Sequence, residues 1–221
     1  MNEHTDSATP FLTPLEARIL GCLMEKQRTT PDQYPLTLNA LVTACNQKTA
    51  RHPVMKLTPG EVGHAVGVLR DRGLIHEDLG GRATRYDHKL AGTFMLDRRQ
   101  QALLCLLLLR GPQTLGELRT NASRLADFAS LEQIKETLQT LIAHERAIAR
   151  ELPRQAGMRE GRYAQLLTGE PDLSQLQEPA TASAPAVDNA LLERVEALEQ
   201  QMAALLDRLE CLESARDSRN S

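Results

Sequence analysis

The residues best suited to surface chemistry fall in one stretch, Asn46-Gln47-Lys48-Thr49-Ala50-Arg51-His52-Pro53-Val54-Met55-Lys56. It holds three cationic side chains, one histidine and no acid. Lys48, Arg51, His52 and Lys56 at this spacing suit contact with phosphate oxygens, which supply affinity for a duplex without reading its sequence. The competing use is internal: Asn46, Gln47 and Lys48 can hydrogen-bond within the loop and hold it against the domain. Two further sets of donors follow. His64 and Arg70 lie on the outward face of one predicted helix, and Gln133 with Thr140 on another, where Glu136 would repel phosphate. Arg82 and Arg85 decorate a predicted hairpin, and Arg150, Arg154, Arg159 and Arg162 a second one, positions from which arginines reach backbone or minor groove.

Other chemistries find little support. There is no Gly-rich phosphate loop, no His-Glu-x-x-His helix and no nucleophile elbow. The six histidines are scattered, and none of Cys22, Cys45, Cys105 and Cys211 has a Cys or His neighbour at metal-ligand spacing. We therefore expect no enzyme, no metal and no cofactor. Aromatic residues make up 3% with no Trp, which excludes a stacking platform for single-stranded nucleic acid. Net charge is −3, but unevenly spread: mildly basic over 13–170, acidic over 171–221. That distribution permits nucleic-acid binding without requiring it. No signal peptide is visible, and the apolar run Leu103–Leu109 is far short of the roughly 18–20 residues a membrane span needs. A cytoplasmic protein without membrane contact is expected.

The elements that must hold these residues are well signposted. Thr13-Pro14-Leu15-Glu16, Thr58-Pro59-Gly60-Glu61 and Thr114-Leu115-Gly116-Glu117 are Thr-x-x-Glu capping boxes. Helices are expected over 14–26, 37–46, 59–72, 97–109, 114–124 and 131–142. Each is backed by apolar residues at three- and four-residue intervals. After Gly73 the period changes. Leu74–Asp78 and Ala83–Asp87 flank Gly80-Gly81 and predict a hairpin; Ala147–Arg150 and Arg162–Leu166 predict another. In both, an Arg-Tyr pair follows a Gly-rich turn. Three helices and a hairpin, twice over, predict a mainly α (α+β) chain with small β-hairpin wings: tandem winged-helix domains at 13–92 and 93–170. A disordered N-terminus (1–12) precedes them. A flexible Pro/Ala/Ser/Thr-rich linker (171–187) and an amphipathic, coiled-coil-like helix (188–215) come after, then a disordered tail (216–221). The seam of that last helix, Leu191, Val195, Leu198, Met202, Leu205, Leu209 and Leu212, steps by four and three. It predicts a homodimer; the alternative is a helix packed on its own chain.

The phrases Leu12-Thr13-Pro14-Leu15-Glu16-Ala17-Arg18-Ile19-Leu20, Tyr34-Pro35-Leu36-Thr37 and Leu38–Lys48, continuing to Arg51-His52-Pro53-Val54-Met55, resemble the YceH family of bacterial proteins. The resemblance covers roughly 11–170 and leaves out the tail. It implies a tandem winged-helix architecture in a bacterial cytoplasm and assigns no reaction and no functional residues. The expected partner is double-stranded DNA, gripped by its backbone, or an unknown protein docked on the Gly-rich third helix.

Overall fold

Every long helix starts at a side chain that closes it. In the computed structural model, which describes residues 10–80, 83–154 and 160–171, Thr13 opens α1 (Pro14–Thr29), Thr37 opens α2 (Leu38–Cys45) and Thr58 opens α3 (Pro59–Asp71). The boxes at Thr13, Thr58 and Thr114 are all reciprocal. The Glu16 carboxylate, for example, accepts from Thr13 N at 2.7 Å while Thr13 Oγ1 accepts from Glu16 N at 3.2 Å. Gly73, at φ +70°, reverses the chain after α3, a conformation a side chain would strain. The hairpin β2 (Ile75–Asp78) and β3 (Arg85–His88) follows. Residues Leu36–Thr37, expected only to precede a helix, form a short strand β1 on the free side of β3, giving the antiparallel order β1-β3-β2.

A short turn of helix, α4 (Leu90–Thr93), leads to α5 (Arg98–Arg110), capped by an Asp97–Gln100 box that the Thr-x-x-Glu pattern had not revealed. Then come α6 (Leu115–Ala122), α7 (Leu131–Ile142) and the strand pair β4 (Ala149–Glu151) and β5 (Tyr163–Gln165). The strand that β1 supplies in the first half has a one-residue counterpart here. Gln113 and Tyr163 exchange backbone hydrogen bonds of 3.0 and 2.7 Å beside β5. The molecule is thus mainly α with two small antiparallel sheets.

The apolar run in α5 now has its reason. Residues 102–109 are all buried, because α1 packs on one side of this helix and α6 and α7 on the other. A helix covered all round is apolar all round. At the centre of the α1–α5 contact, Gly21 brings the backbones together: a Cβ there would stand 2.8 Å from Leu109 Cδ2. Leu20, Val66, Leu107, Leu138 and Ile148 belong to one continuous core. The chain divides into two units, 1–171 and 172–221, and all described residues lie in the first. The linker after 171, the heptad seam Leu191–Leu212 and the terminal segments 1–9 and 216–221 lie outside the described residues. No described helix is long and apolar enough to cross a membrane.

Candidate nucleic-acid interface

The loop 46–56 is fastened at every turn. Asn46 closes its base, donating to Leu57 O at 2.8 Å and accepting from Leu57 N at 2.7 Å. Arg18 of α1, 1% exposed, donates to Cys45 O at 3.1 Å and to Pro53 O at 2.6 Å. Arg51 turns inward. Its Nε donates to Ala44 O at 3.1 Å, its Nη1 and Nη2 reach the two Glu25 oxygens at 3.0 and 2.6 Å, and Gln47 Oε1 accepts at 2.7 Å. Burial works against the charge on Arg51, but the Glu25 carboxylate outweighs it and the guanidinium keeps its proton. Beyond Arg51, His52 N donates to Leu109 O at the end of α5. The most distinctive phrase of the sequence therefore builds a joint between the two halves.

Arg51 is accordingly a correction to the surface reading: its side chain is fully buried and its donors are spent inside the protein. Lys48, His52 and Lys56 do reach solvent, and the two lysines make no ion pair among the described residues. On α3, His64 is exposed, while Arg70 is held between Asp71 at 2.9 Å and Glu77 at 3.3 Å. On α7, Gln133 is half-buried and its Oε1 accepts from Ala129 N at 2.9 Å, which engages the acceptor that a two-pronged contact with adenine needs.

The arginines of the two hairpins have a common occupation. Arg85 Nη1 donates to Pro35 O at 2.7 Å, and Arg162 Nη1 donates to Pro112 O at 2.9 Å. The same 77 positions separate Pro35 from Pro112, Thr37 from Thr114, and Arg85-Tyr86 from Arg162-Tyr163. Both halves thus tie the proline two residues before the helix cap to the returning segment through the arginine of the same Arg-Tyr pair. Arg85 and Arg162 thus hold the sheet edge; Arg85 stays exposed, with one donor used, whereas Arg162 is partly buried and also pairs with Glu117 at 3.1 Å. Arg150 pairs with Glu170 at 2.6 Å, and Arg154 is exposed. Arg82 and Arg159 lie outside the described residues.

Sequence reasoning passed over other groups. Arg119, Arg124 and Lys135, on and after α6 and on α7, are exposed and make no ion pair among the described residues. Their signal was present as basic residues off the apolar stripe of each helix. Arg18 gave none, because a charged residue inside a helix reads as surface until its partners are known. Among the described residues no group of three or more His, Cys, Asp or Glu side chains is placed to hold a metal.

Residues 12–158 match a family model described as "Protein of unknown function, DUF480". The chain is 50% identical to a UPF0502 protein of Mesorhizobium japonicum over 204 residues, covering 92% of this chain and 97% of that one. It is also 50% identical to a UPF0502 protein of Cellvibrio japonicus, covering 89% and 91%. With a UPF0502 protein of Xanthomonas campestris it shares 48% over 215 residues, covering 95% and 96%. Matches of this length cannot fit within 11–170, so the likeness extends into the acidic C-terminal part that the motif phrases did not reach. The chain belongs to the UPF0502 (DUF480) family of uncharacterised bacterial proteins, the family also called YceH.

Proposed function

We propose that the protein binds double-stranded DNA by its backbone, as a regulator-like protein built on two winged helices in tandem. The supporting observation is that two helices and a hairpin recur in the same order in both halves, each set following a longer helix, with the proline, the threonine cap and the Arg-Tyr tie repeated 77 positions apart. In winged-helix proteins this plan sets the last helix of each trio towards a groove. Lys48, Lys56 and His64 serve the first half, and Arg119, Arg124 and Lys135 the second. The C-terminal heptads pair two chains, so that four weak contacts act together. No catalytic step is part of this reading, and it operates in the bacterial cytoplasm.

The test is fluorescence anisotropy of genomic duplex fragments at two salt concentrations. Binding should fall steeply with salt, and the Lys48→Ala/Lys56→Ala variant should lower the log–log salt slope by about 2. Absence of binding at low salt would sink the proposal. A protein-docking reading keeps one specific support. The outward face of α3 is smooth at Gly67, where a Cβ would meet nothing within 4 Å, and Val68 beside it is 37% exposed. Salt-insensitive capture of a partner protein, lost in Val68→Glu while duplex binding is unchanged or absent, would favour that reading.

A further inference from the structure

Arg18 is a buried cation with no acid beside it. It is 1% exposed and enters no ion pair among the described residues. Its Nη1 and Nη2 donate to Cys45 O and Pro53 O, and its Nε is buried with no hydrogen-bond partner. The two acids of its own helix are committed elsewhere, Glu25 to Arg51 at 2.6 Å and Glu16 to Arg72 at 3.2 Å. An arginine keeps its proton inside a protein, and a buried charge without a counter-ion is strongly destabilising. The position therefore favours an anion next to Arg18.

Two thiols stand there. Cys22 lies one turn beyond Arg18 on α1, and Cys45 is the last residue of α2. Both are free and fully buried, and their side chains are hydrogen-bonded to each other. Burial pushes the Cys22 thiol up, but the bond from Cys45 and the charges of Arg51 and Arg18 outweigh it and bring it below the ordinary thiol value. Cys45, the donor of the pair, is pushed up. The other groups facing Cys22 are Glu25, which opposes the shift but is neutralised by Arg51, and Cys105, which burial keeps protonated and which donates to Gly21 O at 3.4 Å.

We propose that Cys22 is the thiolate counter-ion of Arg18 and that Cys22 and Cys45 form a redox couple, closed to a disulfide by a hydroperoxide. The Cys22 sulfur attacks one peroxide oxygen. An S–O bond forms, the O–O bond breaks, and its electron pair leaves with the second oxygen as hydroxide, giving a sulfenic acid. The Cys45 sulfur then attacks the Cys22 sulfur. The S–S bond forms, the S–O bond breaks, and the Cys45 proton leaves with the hydroxyl as water. The peroxide gains two electrons and the two sulfurs supply them. The disulfide is neutral, so Arg18 loses its counter-ion where it fastens Cys45 O and Pro53 O, and loop 46–56 loosens. Any effect on duplex binding rests on the reading above; the disulfide and the loosening do not.

The test treats the full chain with hydrogen peroxide, quenches with catalase, alkylates in urea and maps the non-reduced peptides by mass spectrometry. A Cys22–Cys45 link should form in the folded chain. Its rate should be flat between about pH 7 and pH 8, whereas a resting thiol gives a rate rising about tenfold per pH unit. The flat profile holds whether the peroxide meets the sulfur in place or after a brief opening, because the opened thiolate is drawn from a resting thiolate. Arg18→Met should restore the rise, and Cys105→Ala should leave the profile flat. In the oxidised protein the His52 amide, bonded to Leu109 O, should exchange about tenfold faster. The couple is overturned by a link that fails to form or forms only after unfolding in urea. The thiolate is overturned by a rate in the parent that rises tenfold per pH unit, a result that does not depend on any variant folding. A flat profile in Arg18→Met would overturn the counter-ion role, and unchanged exchange at His52 the coupling to the loop.

Discussion

Arg51 and Lys48 stand three positions apart in a stretch that reads as uniformly basic, yet they do opposite things. The difference is Glu25, about two turns beyond Arg18 on α1, which no local pattern connects to residue 51. Because the Arg51 side chain is fully buried and Glu25 only 17% exposed, removing the guanidinium strands a carboxylate and three carbonyl or amide oxygens. Arg51→Ala should therefore lower stability by about 3 kcal/mol in urea unfolding. Arg51→Lys should recover little of it, since an ammonium cannot reproduce the fork. If Arg51→Lys were instead as stable as the parent, charge alone would suffice and the fastening role would be wrong. His88 supplies a pH dependence. It is 5% exposed, its Nε2 lies 3.1 Å from Gln27 Oε1, and its Nδ1 is buried without a partner. Burial pushes its pKa down from 6.5 to about 4. The unfolded chain thus takes up a proton first as pH falls. Stability is lost between about pH 6.5 and about pH 4 and levels below that. Over that window the parent should lose about 2–3 kcal/mol more than His88→Gln, whose side chain has no titration there. Parallel pH curves for the two proteins would refute the assignment.

The helices were legible because their signals are local. A Thr-x-x-Glu box and an apolar stripe lie within one element, and they placed α1, α3 and α6 to within a few residues. Strand β1 and the bridge at Gln113 were not legible, since two residues have no periodicity and their partners lie about 50 positions away. The candidate site was legible only in part. The exposure of Lys48 and Lys56 could be read from the loop, whereas the internal bonds of Arg51, Arg85 and Arg162 could not, because their acceptors are distant in sequence. Gly21 was equally silent, an isolated glycine in a helical pattern, and it carries the closest approach of α1 to α5. Ala in place of Gly normally gains about 1 kcal/mol in a helix. At Gly21 the new methyl would stand 2.8 and 2.9 Å from Leu109 Cδ2 and Cγ and 3.3 Å from Leu108 Cβ. Overpacking of that kind costs about 1–3 kcal/mol, so Gly21→Ala should be destabilising on balance. Gly67→Ala, which meets nothing within 4 Å, should stabilise by up to about 1 kcal/mol. Thermal melts of the two variants test this pair, and the same sign for both would contradict the packing argument.

The sequence organises residues 13–170 as two similar sets of elements, but the contacts between the sets are too many for independent behaviour. The whole buried length of α5 is shared between α1 and the helices α6 and α7. His52 N bonds to Leu109 O, and Leu12 N bonds across to Leu167 O at 2.7 Å. Phe11 lies between the guanidinium of Arg72, 4.9 Å from its ring centre, and that of Arg146 at 4.6 Å, and it packs edge-on against Phe94. Opening either set would expose one side of α5 and break these ties, so neither set has a core of its own to fall back on. Residues 10–171 should then open as one cooperative unit. Native-state hydrogen exchange is the direct measurement. The slowest amides of α3, such as Leu69, and those of α7, such as Leu138, should report opening free energies within about 1 kcal/mol of each other. A destabilising change confined to one set, such as Leu138→Ala, should lower both by the same amount. If α3 kept its protection while α7 lost it, the halves would be separate folding units. The spacing between Lys48 on one and Lys135 on the other would then adapt to a ligand, whereas a single body presents both at a fixed separation.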